Sequence, residues 1–545
     1  MDVSDAVVEK LVTLGVDTVF GIPGKQSLPL NEGIGARDDI DFIVARHETA
    51  VSHQAWGYAE SSGEMAATVV IPGPGDMNAM NGLKNALNDC TPMLHVAIET
   101  EPDLRGGDAI HETPPDTYDN VVKENVVAKN PESTVAVLER AVETARTPPM
   151  GPVRVGVPKN FLRMDVPIAS ASVDRSGRDA PVPASDVAAA ADLLADSEAP
   201  IIVAGGGVRA AGATPELVAV AERLDTPVVT TYKGKGTIPD DHELAAGTLS
   251  GSAPPELLDE LATAETLLGV GTDLDAVATR HFSVDLPASF VHVTLDADDI
   301  GTGYDPTVGI VADAADALAA IDDALEDREV RSSDGVERAR AVRAATADRI
   351  EPLLDDDPLT SVRALREVRD AVPRDAVVTA DAGGFRVWGL NAFDAYGPRR
   401  YVNPGSWATM GTALPSAIGA KAANPDRPVV ALAGDGGLMM CVHELHTAAA
   451  EDVPVVVVVF NNDDYAIISE EAGRSYDLAP GEYGWNDAPL DLATVAEGMN
   501  VNATRADAPA EIRAALDGAL ASDEPALIEV RTDPAEPQAS EWMTD

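Results

Sequence analysis

The chain has 545 residues, too many for one hydrophobic core, so about three domains are expected. Its 45% hydrophobic content is that of a globular protein, and 4% aromatic residues leave the interior to Ala, Val and Leu. Against 39 basic residues, nine of them lysine, stand 91 acidic ones, and the net charge of −52 argues against nucleic acid and anionic membranes as partners. The acidic residues are dispersed rather than gathered in a tail. That distribution points to a solvated surface adapted to high salt, as in a halophilic protein. No apolar run approaches the roughly 18 residues of a membrane span, and the N-terminus lacks the regions of a secretory signal. A cytoplasmic protein is expected. Cys90 and Cys441 lie in unrelated segments, suggest neither disulfide nor zinc site, and read as small core residues.

In chain order, the pattern opens with an amphipathic helix, then strands at Thr18–Phe20, Phe42–Ala45 and Ala66–Ile71. Turns rich in Gly and Pro separate them (GIPG at 21–24, PGPG at 72–75), which argues for an α/β domain with a parallel sheet over residues 1–165. A polar, irregular linker follows at Val166–Ser185. A second α/β stretch, 186–326, contains IIVAGGG, VVTTYKGKG, ETLLGVGTDLD and SFVHVTLDAD, and a charged helical segment covers Asp327–Asp357. The third α/β domain spans 359–534 and ends on the strand Ala526–Arg531. The expected fold is α/β, three consecutive parallel-sheet domains.

The third domain carries the most informative stretch. From Gly434 to Asn462 it reads GDGGLMMCVHELHTAAAEDVPVVVVVFNN, with Asn462 lying 27 residues after Asp435. An apolar strand (Pro428–Ala433), a helix (Leu438–Glu451) and a second apolar strand (Val453–Phe460) make a parallel unit whose polar tips share one sheet edge. There Asp435 and Asn462 can share one hard cation through oxygen ligands, and the Gly436 and Gly437 amides can face an anion. A cation held between protein oxygens and a diphosphate is the natural reading; GDGG as a plain turn and the Asn pair as a loop opener are the alternative.

Other candidates are less telling by themselves. Glu48, in FIVARHETAVSHQAWGYAESSG, stands at a helix head, where a carboxylate is favoured by the helix dipole alone. His111 and Glu112, in GGDAIHETPPD, read either as an exposed polar pair or as an active-site loop whose imidazole handles a proton. Gly205–Gly207 after IIVA looks like a dinucleotide turn, and equally like a tight structural turn.

GDGG with its distant Asn pair resembles the thiamine diphosphate (ThDP) binding signature. FGIPG at 20–24, RHE at 46–48, GYAESSG at 57–63 and PGPGDMNAMNGLKNA at 72–86 are similar in order and spacing to the pyrimidine-binding domain of ThDP enzymes. The likeness covers nearly the whole chain, and the branch it resembles is the acetolactate synthase large subunit. It implies pyrimidine-binding, central and diphosphate-binding domains in series, with ThDP and Mg²⁺ as cofactors. Asp435, Asn462 and the Asp464 carbonyl would be the metal ligands. Glu48 would meet N1′ of the aminopyrimidine, where a buried carboxylic acid drives the ring into the imino form that deprotonates C2. Arg46 and His47 would be its structural neighbours. Cofactor contacts would fall at Gly24, Gly75, Gly384, Gly436 and Gly437. The Ala408 carbonyl and Met410 amide would meet the pyrimidine, and the Met410 side chain would fold the cofactor into a V. His111 and Glu112 would act on substrate.

Three departures concern the reaction. Acetolactate synthases usually carry Phe-Gln-Glu where this chain has Ile110-His111-Glu112, and some relatives that only decarboxylate have His-Glu. Their acceptor-selecting tryptophan is matched by Glu471. The loop GTLSGSAPPE, 247–256, lacks the Gly-Met-His-Gly run that lies along FAD, and GVGTDLDAVATRHF keeps the shape but not the usual residues of the nucleotide-supporting strand, so the resemblance leaves FAD open. The expected function is ThDP- and Mg-dependent decarboxylation of a 2-oxo acid with transfer of the enamine to an acceptor. A simple 2-oxo acid decarboxylase is the alternative, and a non-catalytic ThDP-binding regulator the remote one. A homodimer or homotetramer is implied, with a small regulatory subunit if the chain is a true synthase.

The charge itself yields the first prediction. In dilute buffer the protein should unfold or dissociate, and it should recover in molar KCl as self-repulsion is screened. Circular dichroism and sedimentation across a salt series check this; equal stability from millimolar to molar salt would contradict it.

Overall fold

The computed structural model describes residues 1–107, 111–114, 116–167, 181–331, 333–355, 357–479 and 481–544. Most of the segment read as a linker, residues 168–180, lies outside them.

Three six-stranded sheets follow one another along the chain, and every strand pair is parallel. The first comprises β1 (Thr18–Gly21), β2 (Asp41–Val44), β3 (Ala67–Val70), β4 (Met93–Glu99), β5 (Glu124–Val127) and β6 (Pro152–Pro158), in the order β2-β1-β3-β4-β6-β5. The central sheet comprises β7 (Pro200–Ala204), β8 (Val228–Thr231), β9 (Ala245–Leu249), β10 (Thr266–Val270), β11 (Ser289–Thr294) and β12 (Val308–Val311). Its order, β12-β11-β10-β7-β8-β9, is the 3-2-1-4-5-6 arrangement of dinucleotide-binding sheets read from the other edge. The third comprises β13 (Val377–Ala380), β14 (Tyr401–Val402), β15 (Val429–Gly434), β16 (Val456–Asn461), β17 (Asn502–Ala506) and β18 (Ala526–Arg531), in the order β14-β13-β15-β16-β18-β17. First and third sheets therefore share one topology. Their inner strands are apolar on both faces because helices cover both sides, as in the VVVVVF run entering β16.

Two helices join the first and third sheets. The helix Glu48–Ser62 starts where His47 Nδ1 accepts the Thr49 amide and ends at Gly63, at φ +85°. It is buried from Ala50 to Ser61, since one flank meets its own sheet and the other the helix Ala413–Ala423. The contact has no room for side chains. A carbon added at Gly419 would stand 1.8 Å from the Gln54 carbonyl oxygen, and one at Gly57 2.3 Å from that of Ser416. These pairings run the helices antiparallel.

The central unit meets both others at a charged junction. Glu60, buried, takes Arg209 at 2.7 Å and Lys233 at 3.1 Å, and Lys233 also pairs with Asp89 at 3.0 Å. Arg399 donates to the Ala59 and Glu60 carbonyls and to that of Arg209. Burial opposes ionisation of Glu60, yet the charges of Arg209 and Lys233 hold its carboxyl down to about 2.

Two expectations change and one is narrowed. The helix read at Leu438–Glu451 is two segments, Asp435–Cys441 and Glu444–Ala450, because Glu444 turns into the first domain. The charged segment after residue 326 forms a helix, Gly335–Ile350, that packs on the central unit through Arg338–Glu260 and Arg349–Glu256 pairs. Cys441 is buried as read, but Cys90 is exposed, in a left-handed turn just past the helix Met80–Asn88. Among the described residues, no helix is long and apolar enough to cross a membrane.

Candidate active site

At the carboxyl edge of the third sheet, β15 delivers Asp435 and β16 delivers Asn462. These strands are hydrogen-bonded neighbours, so the two tips stand together. Asp435 is 3% exposed, and its carboxylate meets only backbone donors: the Gly436 amide at 2.9 Å and the Asp463 amide at 2.8 Å. Burial, with the nearby Asp463 charge, pushes its carboxyl up to about 7. Asn462 Oδ1 accepts the Asp464 amide at 3.3 Å, and the Asp464 side chain turns away to the Ser469 hydroxyl. That leaves the backbone of Asp464 to the site. Among the described residues no three His, Cys, Asp or Glu side chains converge on a point. A set made of one carboxylate, one amide oxygen and one carbonyl is outside that description, and its hard oxygens suit Mg²⁺. A buried carboxylate with no cationic partner among the described residues fits the same ion.

The flanking backbone is shaped for close approach. A side chain on Gly437 would press on Asp381, at 2.9 Å, and one on Gly436 on the Tyr465 ring, at 2.4 Å. One correction follows: the Gly436 amide, read as facing an anion, is spent on Asp435. Gly384 opens the helix Gly384–Ala392 against Gln538 and Ile467. Ala408 sits at φ +47°, a left-handed conformation that costs a non-glycine residue on the order of 1–3 kcal/mol. Met410, half-buried, precedes Gly411 at φ +80°.

In the first domain, Glu48 heads its helix after β2 and is half-buried. Asn78 Nδ2 donates to Glu48 Oε2 at 3.0 Å, and a side chain on Gly75 would meet Oε1 at 3.0 Å. Gly24 packs against Ile71 beside the same turn, leaving 2.1 Å for an added carbon. His111, at φ +65°, lies on this turn: an added carbon on Gly73 would touch its Cα at 2.8 Å. Its Nδ1 is buried and has no partner among the described residues. Glu112 points elsewhere and accepts the Gly106 amide at 2.5 Å, which closes its own loop. Arg46 and His47 present their amides to Glu444, at 3.0 and 3.1 Å.

Two groups of candidates thus form, Glu48 with Gly75 and His111, and Asp435 with Asn462 and Asp464. Within one chain, and among the described residues, no side-chain contact joins them. Asn81, one helical turn past Asn78, bonds Thr409 and Trp407 beside Ala408 and Met410.

Some functional residues escaped the sequence reading. Asp381, buried, accepts the Gly411 amide at 2.9 Å and holds the turn that carries Met410; it lies inside ADAGGF and could have been singled out there. Glu444 gives no local signal. Its role depends on residues almost 400 positions away.

The central sheet has its own cavity, of about 250 Å³, at the switch point between β7 and β10. Gly206 and Gly207 line it together with Asp273, Asp275, Asp296 and Asp299. Burial and the charges of Asp275 and Asp299 push the Asp273 carboxyl up to about 6. The cations at its rim, Arg209 and Lys233, are already paired with Glu60 and Asp89. Gly205 and Gly207 are needed for packing against Gly271.

Comparison with known proteins decides the family. Residues 1–120 match the N-terminal TPP binding domain of thiamine pyrophosphate enzymes, 187–321 their central domain, and 381–530 their C-terminal TPP binding domain. The chain belongs to the thiamine pyrophosphate enzymes. It is 31% identical to a probable acetolactate synthase large subunit of Methanocaldococcus jannaschii, over 98% of this chain and 92% of that protein. It is 30% identical to the acetolactate synthase large subunit of Corynebacterium glutamicum, over 96% and 86%. A probable 2-ketoarginine decarboxylase of Pseudomonas aeruginosa is 32% identical over 86% of this chain and 83% of its own length. This thiamine pyrophosphate enzyme is acetolactate synthase-like, and thiamine diphosphate is its cofactor.

Replacing Asp435 or Asn462 by Ala should abolish metal-dependent ThDP binding, because cation and diphosphate neutralise each other and are held together. Calorimetric titration of ThDP with and without Mg²⁺ measures it; full affinity in Asp435→Ala would sink the assignment.

Proposed function

We propose that this enzyme decarboxylates a 2-oxo acid with ThDP and Mg²⁺ and passes the remaining fragment to an acceptor, as an acetolactate synthase does. The observation that carries this reading is the buried Asp435, without a cationic partner among the described residues, beside Asn462 in a chain that belongs to the family. Asp435, Asn462 and the Asp464 carbonyl hold the metal, and the Gly437 amide and the Gly384 helix start face the diphosphate. The Ala408 carbonyl, Met410 and Glu48 orient the pyrimidine, and Glu48 holds a proton at its ring nitrogen. When bound, ThDP supplies an electron sink for the carbon that loses CO₂. No step needs a flavin.

A simple decarboxylase is the second reading. Its support is His111, whose backbone packs against Gly73 at the start of the turn that carries Gly75 and whose Nδ1 has no partner among the described residues, an imidazole suited to returning a proton to the decarboxylated carbon. Glu471, at the tryptophan position, pairs with Arg474 and does not favour an acceptor pocket. Feeding pyruvate and analysing carbon products separates the two. Acetolactate is expected; acetaldehyde alone would establish the second reading, and no turnover of any 2-oxo acid would remove both.

We also propose that two chains share each site. Half-buried Glu48 needs a covering surface to act as a carboxylic acid. Exposed Met77 lies beside Asn78, while exposed Met439, Met440, Tyr465, Ile467 and Ile468 surround the Asp435 end, apolar surface suited to a partner subunit. A homodimer or tetramer, a small regulatory subunit, a cytoplasmic location and salt adaptation belong to the same reading. Mixing inactive Glu48→Gln and Asp435→Ala chains under subunit exchange should rebuild one intact site per mixed dimer, with activity returning toward half of wild type. Verified exchange without activity would place each site within one chain.

A further inference from the structure

Beneath the turn that holds Glu48 lies a closed set of polar side chains for which cofactor binding has no direct use. Asp76 follows Gly75 in that turn, and its carboxylate is fully buried. Arg154 Nη2, from β6, donates to one oxygen at 2.6 Å. The other oxygen lies 3.0 Å from His95 Nε2, on β4, and 2.5 Å from the Tyr118 hydroxyl. His95 Nδ1 faces the Thr68 hydroxyl, on β3, at 2.6 Å. Arg154 goes on to Glu99, at the end of β4, and to the Asn125 side chain, on β5, at 3.0 Å, and its guanidinium lies over the Tyr118 ring. Residues of four strands thus join one network around this carboxylate, which β4 and β6 reach directly.

Such burial of charge is not needed to hold a sheet together; apolar side chains of similar volume do that at least as well. What the network does that apolar packing cannot is fix the direction of a backbone turn. Burial opposes ionisation of Asp76, but the His95 hydrogen bond and the Arg154 charge hold its carboxyl well below the usual range. Tyr118 also reaches the Asp76 carbonyl, so side chain and backbone are held by one hydroxyl. At the start of the turn, the Gly73 amide donates to the Thr113 hydroxyl at 2.8 Å. Thr113 and Tyr118 both follow His111, so one stretch grips the turn and carries the histidine. The free face of the turn is the one that presents Gly75 and Asn78 to Glu48.

We propose that Asp76 is a positioning residue for Glu48: clamped by Arg154, His95 and Tyr118, it fixes the turn whose Gly75 and Asn78 set the Glu48 carboxylate. The proposal rests on the reading of Glu48 as the group that holds the pyrimidine proton. Two variants of the full chain test it. Asp76→Asn keeps the shape and removes the charge, and Tyr118→Phe keeps the ring over Arg154 and removes only the hydroxyl. Both should bind ThDP and Mg²⁺ with unchanged affinity, since diphosphate and metal are held on the third domain. Hydrogen–deuterium exchange at C2 of the bound cofactor should slow by on the order of tenfold or more, the scale of effect that small misplacements produce. In cofactor-free protein, the amides of residues 73–78 should exchange faster with D₂O, read by mass spectrometry.

Glu48→Gln, measured alongside, separates the two ideas. Parental C2 exchange in Glu48→Gln would overturn the role of Glu48 itself. Slow exchange there, beside parental exchange in both test variants, would overturn the positioning proposal alone. Cofactor affinity falling as far as C2 exchange in Tyr118→Phe would make the network a general prop and would also overturn it. Should Asp76→Asn fail to fold, Tyr118→Phe alone decides.

Discussion

Everything else in the molecule depends on two backbones that touch. Where Gln54 meets Gly419 and Gly57 meets Ser416, the helices Glu48–Ser62 and Ala413–Ala423 have no side chains between them. Each helix begins beside a functional segment, the first at Glu48 and the second just after Met410. A methyl group in that seam would push the sheets apart, and neither segment could keep its present relation to the other. The contact is therefore a positional constraint on chemistry, although no residue in it does any.

Around this seam the structure uses buried charge to set backbone direction. Glu444 takes two successive amides ahead of Glu48, Asp381 takes the Gly411 amide after Met410, and Asp76 takes the turn below Asn78. The amides that Glu444 and Asp381 accept lie one or two residues from Glu48 and Met410, and Asp76 itself lies two from Asn78. Rigid placement of the residues that meet a cofactor calls for such support, because a loop held only by apolar contacts can slide. The Glu60 junction does for the central unit what these do for the site, and it locks all three sheets to one another.

Much of this architecture was readable in the sequence, for a definite reason. Parallel strands covered on both faces are continuous apolar runs, so β3, β15, β16 and β18 stand within a few residues of where the pattern puts them. The distance from Asp435 to Asn462 is a strand-helix-strand length, and the structure brings both to one edge. What could not be read is long-range. The break before Glu444 has its cause in Arg46 and Gln54, and the Asp76 cluster gathers residues 76, 95, 118 and 154, a set with no local spacing. The fate of Cys90 likewise hangs on a turn that periodicity does not describe. The central sheet showed its glycines but not its aspartates as a group, since those come from the ends of different strands.

The pairing of charges inside has a consequence outside. Arg154 and Arg209 are buried against Asp76 and Glu60, and among the described residues only twelve of the 91 acidic side chains are buried, so most of the surplus negative charge belongs to the face in contact with water. A 2-oxo acid is also an anion. It approaches a body of its own sign, and in dilute solution the long-range field slows arrival at the site rather than guiding it. As the Debye length shrinks to about 3 Å near molar salt, that barrier collapses to the last few contacts. On so acidic a surface, ions in the medium act on diffusional capture in the opposite sense to electrostatic steering, where added salt delays the substrate.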